Sequence, residues 1–238
     1  LLVNLVPVAV EANPGEIEGF AAIVFDVLRA TSTITTALAA GYQKVYPVVE
    51  AEEAIEFARR IEAALAGERG GEKIPEFPHG NSPLEFWPGN NRDNDSLVLT
   101  TSNGTKAIRI ASTHAAKTFI GSLLNAGAVA RAALQTGWDI CLVCAGTEGK
   151  FSLEDLLGAG FVLLELIGIA DSLPQMDDLS VAACNLASYY INAPLKGLDE
   201  GRHGKKLIGL GRDMDLEWCA QLNRFEIAPA VNNGYVCL

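Results

Sequence analysis

The sequence predicts an α/β layered fold with a largely parallel sheet, and three observations carry that expectation. Apolar runs of strand type recur at 21–26 (AAIVFD), 44–49 (KVYPVV), 96–101 (SLVLTT), 117–121 (KTFIG) and 139–145 (DICLVCA). Segments with helical patterning lie between them. Three of the strand-like runs end in polar turns at Asp26–Thr33, Thr100–Lys106 and Ala145–Asp155. Strands alternating with helices are the signature of βαβ units.

Taken in order, the first strand ends on Asp26, and a hydroxyl-rich run leads into a helix over 32–40, with Thr31 or Ser32 placed as N-cap. After the strand at 44–49, Ala51, Ala54, Ile55, Ala58, Ile61 and Leu65 fall on one face of a helix over 51–65. Residues 67–95 carry five glycines and four prolines without periodicity, so they read as a long loop that serves as a lid or site wall. Phe77, Leu84, Phe86 and Trp87 would anchor it. Helices follow at 105–115, 125–135 and 153–168, the last with an S-x-x-D cap at Ser152 and Asp155. Further helices fit 180–192 and 214–222. Shifting the chain by 73 positions lays Val24–Pro47 over Leu97–Ile120, an indication of internal duplication with units near 20–66 and 96–135 inside one compact domain spanning 1–238.

Composition narrows the function. An apolar share of 49% with 20% charged residues is that of a globular protein, and no apolar run approaches the roughly 20 residues of a membrane span. The chain opens on Leu without a charged segment ahead of an apolar one, so no secretory leader is expected and the compartment reads as cytoplasmic. A net charge of −11 disfavours nucleic acid as partner and leaves a small anionic substrate that needs local positive charge or a bound cation. Cys141 and Cys144 form a C-x-x-C on a strand, where residues three apart face opposite ways, so structural thiols are expected rather than a metal site.

In open α/β sheets ligands gather outside the carboxyl ends of the strands, so the three polar turns are expected to converge. The first offers Asp26, then Arg29 for a bidentate anion contact, then Thr31 and Thr33 at a helix start, where unpaired N–H groups suit phosphate. The second, TTSNGTKA, presents Asn103, Gly104, Thr105 and Lys106, although Asn-Gly is also a plain turn signal. The third places Glu154 and Asp155 at a helix start, as dipole complement or as Mg²⁺ ligands. Between 196 and 212 five Lys or Arg face two acids, which reads as a solvated basic loop or an anion-steering rim, with His203 as a phosphate contact or proton donor.

Six stretches in series, FDVLRATSTITTALAAG, HGNSPLEF, TTSNGTKA, IGSLLNA, CAGTEGKFSLEDLLGAG and RHGKKLIGLGRDMDLEWCAQLNRFEIAPAV, resemble the 2-phosphosulfolactate phosphatase (ComB) family from about residue 20 to 231. The resemblance implies a three-layer α/β/α fold with two similar intertwined units. It also implies a Mg²⁺-dependent phosphatase converting 2-phosphosulfolactate to 3-sulfolactate and phosphate, a coenzyme M biosynthesis step. Carried over by motif, the site residues are Asp26, Arg29, Thr31, Thr33, Asn81, Ser82, Asn103, Gly104, Thr105, Lys106, Glu154, Asp155 and His203. In the expected division of roles Asp26, Glu154 and Asp155 hold Mg²⁺ or activate water. Arg29 and residues 103–106 bind phosphate, and Lys106 or His203 takes the sulfonate. Asp26 is ranked as metal ligand, then base, then nucleophile. One departure, Pro75, Pro78 and His79 ahead of Asn81-Ser82-Pro83, leaves a different small anionic phosphomonoester open, and the oligomeric state is open too.

Two rivals stand beside this reading. A haloacid-dehalogenase-type phosphatase requires a second Asp two positions after Asp26, where Leu28 stands. A non-catalytic anion-binding module would use the same helix starts without turnover. No nucleotide-binding glycine motif follows a strand.

Overall fold

The computed structural model describes residues 1–87 and 94–238. Within them the order of elements is β1 (Leu2–Val6), β2 (Ala21–Phe25), α1 (Ala30–Ala39), β3 (Lys44–Pro47), α2 (Ala51–Ile61), β4 (Ala64–Arg69), β5 (Glu72–Lys73), β6 (Ser96–Thr100), α3 (Gly104–His114) and β7 (Lys117–Gly121). There follow α4 (Ala126–Gln135), β8 (Ile140–Cys144), α5 (Leu153–Ile169), β9 (Gln175–Met176), α6 (Asp178–Tyr190), α7 (Pro194–Glu200), α8 (Arg202–Gly209), α9 (Asp213–Cys219), β10 (Ala230–Asn232) and β11 (Tyr235–Cys237).

The strands form one sheet in the order β5-β4-β6-β3-β11-β10-β7-β2-β8-β1-β9. Strands β4, β6 and β3 run parallel, as do β7, β2, β8, β1 and β9. The β10–β11 hairpin joins the two blocks by antiparallel pairing with β7 on one side and β3 on the other. The segment β2-α1-β3-α2-β4 starts in one block and ends in the other, and β6-α3-β7-α4-β8 makes the reverse crossing. Exchanging these two units turns β4-β6-β3 into β8-β2-β7, so the core of the sheet reads the same from either end. That is the intertwined α/β/α arrangement expected from the sequence.

Period-2 alternation explains the layers. Ala21, Ile23 and Phe25 of β2 pack with α4, α5 and α6, while Ala22 and Val24 pack with α1 and α3. On β6, Leu97 and Leu99 join the α1/α3 layer and Val98 meets Ala54 and Ala58 of α2 on the opposite face. Each fully buried Ile, Leu or Phe in these layers contributes roughly 1.5–3 kcal/mol relative to exposure. Cys141 and Cys144 fall in different layers and all five cysteines are free, as the strand reading requires. Helix α5 lies close against α6 because position 160 is glycine: a Cβ there would sit 2.1 Å from the Ala183 carbonyl oxygen.

Three expectations need correction. The helix over 51–65 stops at Ile61, with Glu62 in the left-handed conformation (φ 53°), and Ala64–Arg69 pairs with β6 as strand β4. Its apolar residues satisfy both periodicities, and sheet pairing decides. The supposed loop over 67–95 therefore holds the end of β4, the β5 hairpin and a 3-10 turn at Pro83–Glu85, with residues 88–93 of that expectation lying outside the described residues. The basic segment 196–212 is two short helices, α7 and α8, rather than a loop; α8 buries only Gly204 and Leu207, too few positions to show a periodic pattern. No helix among the described residues is long and apolar enough to cross a membrane.

Candidate active site

The exits of β2, β4 and β6 and the loop after β8 meet beneath α8 around a cavity of about 130 Å³. Asp26, Arg29, Glu68, Asn81, Asn103 and His203 are among its walls.

Asp26 stands one residue beyond β2. Its Oδ1 accepts the Ala30 N–H at 3.2 Å, which caps α1, and its own N–H donates to Thr31 Oγ1 at 3.1 Å. The remaining hydroxyls of α1 are also occupied. Ser32 donates to the Val27 carbonyl, Thr35 to Thr31 and Thr36 to Ser32, each at 2.8 Å. Thr33 donates to the Asn81 carbonyl at 3.0 Å and so anchors the Asn81–Ser82 turn. The hydroxyl run thus builds the frame, and within this stretch Asp26 and Arg29 line the cavity. Position 104 must be glycine for the second turn to approach the first, since a Cβ there would lie 2.5 Å from Asp26 Oδ2 and from Ala30 Cβ.

Burial, the charge of Glu68 and that of Glu154 push the Asp26 carboxyl up to about 7. Deprotonation of Asp26 therefore disfavours the folded state. In metal-free protein its contribution to stability is lost progressively as pH rises from the ordinary carboxylate value of 3.8 toward 7. Thermal melts in chelator are expected to show the wild-type Tm falling across that window relative to Asp26→Asn; parallel profiles would contradict the assignment.

Asp155 is placed differently. Its Oδ1 accepts the Val27 N–H at 2.9 Å and its Oδ2 the Gly146 N–H at 3.0 Å, so it ties the exits of β2 and β8 together. Burial and the neighbouring Asp26 raise its pKa well above the usual carboxylate range. Glu154 is buried, its carboxyl also raised by burial, and it faces an adjoining cavity of about 170 Å³ that shares Thr147 and His203 with the first.

Arg29 is fixed before any ligand arrives. Its Nη1 donates to Asp215 Oδ2 at 2.5 Å and its Nη2 to the Gly71 carbonyl at 2.7 Å. Asp215 Oδ1 in turn accepts from Ser82 Oγ at 2.5 Å. The neighbouring Asn81 has a buried Oδ1 without a hydrogen-bond partner among the described residues. Asn103 accepts the Glu148 N–H at 3.1 Å, and Thr105 Oγ1 donates to the Thr101 carbonyl at 3.0 Å. His203 carries a buried Nδ1 that has no partner among the described residues, and burial lowers its pKa so that the neutral ring is favoured. Lys106 is exposed and is not among the cavity walls; the lysine that does line the cavity is Lys206.

Two residues that the motifs did not mark complete the site. Glu68, at the end of β4, accepts the Ser102 N–H at 2.7 Å and the Gly71 N–H at 2.6 Å, drawing two loops together. An acid closing a strand just before Gly70-Gly71 is a readable signal once β4 is recognised. Asp215 has no such signal, since it is one of two acids in the first turn of a short helix.

A family model described as 2-phosphosulpholactate phosphatase matches residues 7–234. A protein of Caldanaerobacter subterraneus subsp. tengcongensis named "Probable 2-phosphosulfolactate phosphatase" is 41% identical over 217 residues, covering 90% of this chain and 88% of the relative. A protein of the same name from Carboxydothermus hydrogenoformans is 42% identical, covering 89% and 86%; one from Thermotoga maritima is 39% identical, covering 91% of each. The match spans every loop that walls the cavity, from Asp26 to Lys206. On that extent of sequence the chain belongs to the 2-phosphosulpholactate phosphatase family.

Proposed function

We propose that the cavity hydrolyses the phosphate ester of 2-phosphosulfolactate with the help of Mg²⁺. The observation that carries this reading is that the buried Asp26 carboxyl, its pKa raised to about 7, and the anchored guanidinium of Arg29 line one small cavity. The family membership supports it, and with it a place in coenzyme M biosynthesis and in the cytoplasm.

The donors suit a hard cation. Asp26 Oδ2 has no protein donor among the described residues, and Asn81 Oδ1 is a buried oxygen without a partner on the same cavity. No cluster of three or more His, Cys, Asp or Glu among the described residues is arranged as a metal cage. Mg²⁺ needs none, because it takes one or two carboxylates and fills its shell with water and substrate oxygens. Asp26 and Asn81 would hold it, with Glu154 supplying charge from the adjoining wall. Bound there, it supplies neutralisation of phosphoryl oxygens as charge develops.

The chain's own residues do the rest. The guanidinium N–H groups of Arg29 that are not engaged by Asp215 and Gly71 are free to bind phosphate oxygens. Neutral His203 takes a proton from the attacking water at a ring nitrogen. The new P–O bond forms, the ester P–O bond breaks, and the proton passes to the leaving alkoxide. Asp155 and Glu68 keep the loops in register.

Phosphate release from 2-phosphosulfolactate, measured with Mg²⁺ and then with chelator, tests the reading. Turnover dependent on Mg²⁺ is expected. Turnover unaffected by chelator would remove the metal, and binding without release under either condition would favour an anion-binding module.

A further inference from the structure

Helix α8 covers the cavity mouth with a basic face that the hydrolytic step leaves unused. Arg202 and Lys206 stand one turn apart on it and converge on a single carboxylate, Glu148. Arg202 Nη2 lies 2.8 Å from Glu148 Oε2, and Lys206 Nζ lies 3.7 Å from Glu148 Oε1. Each cation therefore takes a different oxygen, so the carboxylate spans the pair. Glu148 and Lys206 line the main cavity and Arg202 lines the adjoining one, and the two cavities share Thr147 and His203.

The loop that presents Glu148 is built for that placement. Glu148 is a non-glycine residue at φ 55°, between Gly146 (φ 72°) and Gly149 (φ 71°). A left-handed residue other than glycine has a cost and needs its surroundings to hold it. Here the side chain of Asn103 fixes its N–H at 3.1 Å. The loop thus delivers a negative group to a place at the mouth where two cations meet. All three side chains are substantially exposed, so these ion pairs are weak and exchange at little cost.

We propose that Arg202 and Lys206 form the subsite for a second anionic group of the substrate, a sulfonate or carboxylate, and that Glu148 occupies it as a surrogate anion until substrate displaces it. The proposal rests on the phosphatase reading for the first anion, the phosphate. It moves the sulfonate contact from Lys106, which is not among the cavity walls, or from His203 to the two cations on α8.

Sulfoacetate, which carries a sulfonate and a carboxylate but no phosphate, separates the two readings. Calorimetric titration of the full chain with this probe requires no turnover. Replacing both cations (Arg202→Ala with Lys206→Ala) is expected to weaken sulfoacetate binding at least about 10-fold. Glu148→Gln is expected to tighten it about 3- to 10-fold, because a competing anion is removed. In parallel, the preference in kcat/KM for 2-phosphosulfolactate over phenyl phosphate should fall about 10-fold or more in the double variant. Equal sulfoacetate affinity in wild type and double variant would overturn the subsite. Unchanged or weaker binding by Glu148→Gln would overturn the surrogate role. Absence of phosphate release from either ester by the wild type would count against the phosphatase reading alone, since sulfoacetate affinity is measured without turnover and still decides the subsite.

Discussion

Asp26→Asn is expected to lower kcat for Mg²⁺-dependent phosphate release by about 10³-fold or more while the protein stays folded. The substitution keeps the shape of the side chain, and an amide oxygen can still accept the Ala30 N–H that caps α1. What it removes is the negative charge of a carboxyl that lines the cavity and whose Oδ2 packs against Gly104. Charge is what a bound cation needs, and it is also what burial beside Glu68 and Glu154 penalises in the metal-free protein. The same variant should therefore gain thermal stability over wild type in chelator at pH 8, and lose the stabilisation that added Mg²⁺ gives the wild type. A loss of activity paired with a gain in stability is not the outcome of a damaged fold. Wild-type rates in the variant would remove Asp26 from the chemistry.

How far the sequence alone reached depends on whether an interaction was local. The polar turns after β2, β6 and β8 are legible because they are written in neighbouring residues, and so is the Ser152 cap on Asp155. The cap of α1 is not Thr31 or Ser32 as expected, because the helix begins at Ala30 and Asp26 takes the Ala30 N–H. The hydroxyls of α1 fit either a phosphate or a frame role by type, and geometry decides for the frame: Ser32, Thr33, Thr35 and Thr36 donate to backbone carbonyls and Thr31 accepts the Asp26 N–H. Strand β4 was missed because its residues continue the apolar pattern of α2. The loss of β4 hid Glu68, whose two partners, Ser102 and Gly71, come from different loops. Lys106 owes its place in the expected site to a motif, but the first turn of α3 carries it to the surface. Contacts such as Arg29 with Asp215, 186 positions apart, leave no trace in local pattern.

That long-range pair carries the second large effect. Asp215→Ala should lower Tm by about 6–20 °C, since breaking a buried ion pair costs about 3–5 kcal/mol and a chain of this size shifts about 2–4 °C per kcal/mol. The pair is buried on both sides, at 3% and 4% side-chain exposure, and the Ala variant strands a guanidinium along with the Ser82 hydroxyl. Helix α9 is otherwise well held here, with Trp218 Nε1 donating to Thr36 at 3.0 Å and its ring packed on Trp87 at 4.9 Å between centroids. The loss should therefore be centred on Arg29 rather than on the whole helix. A double replacement separates stability from function. Arg29→Met with Asp215→Leu puts apolar volume where the charges were, a change that in buried pairs is often neutral or stabilising. Its Tm is expected to recover most of the loss. Phosphate release should stay at least about 10²-fold below wild type, because the anchored donor aimed at the cavity is gone. If activity returned with Tm, the pair would be a structural strut and phosphate binding would have to rest on other groups. If neither returned, the guanidinium would be needed for the fold of the Asn81–Ser82 turn itself, through the Ser82–Asp215 bond.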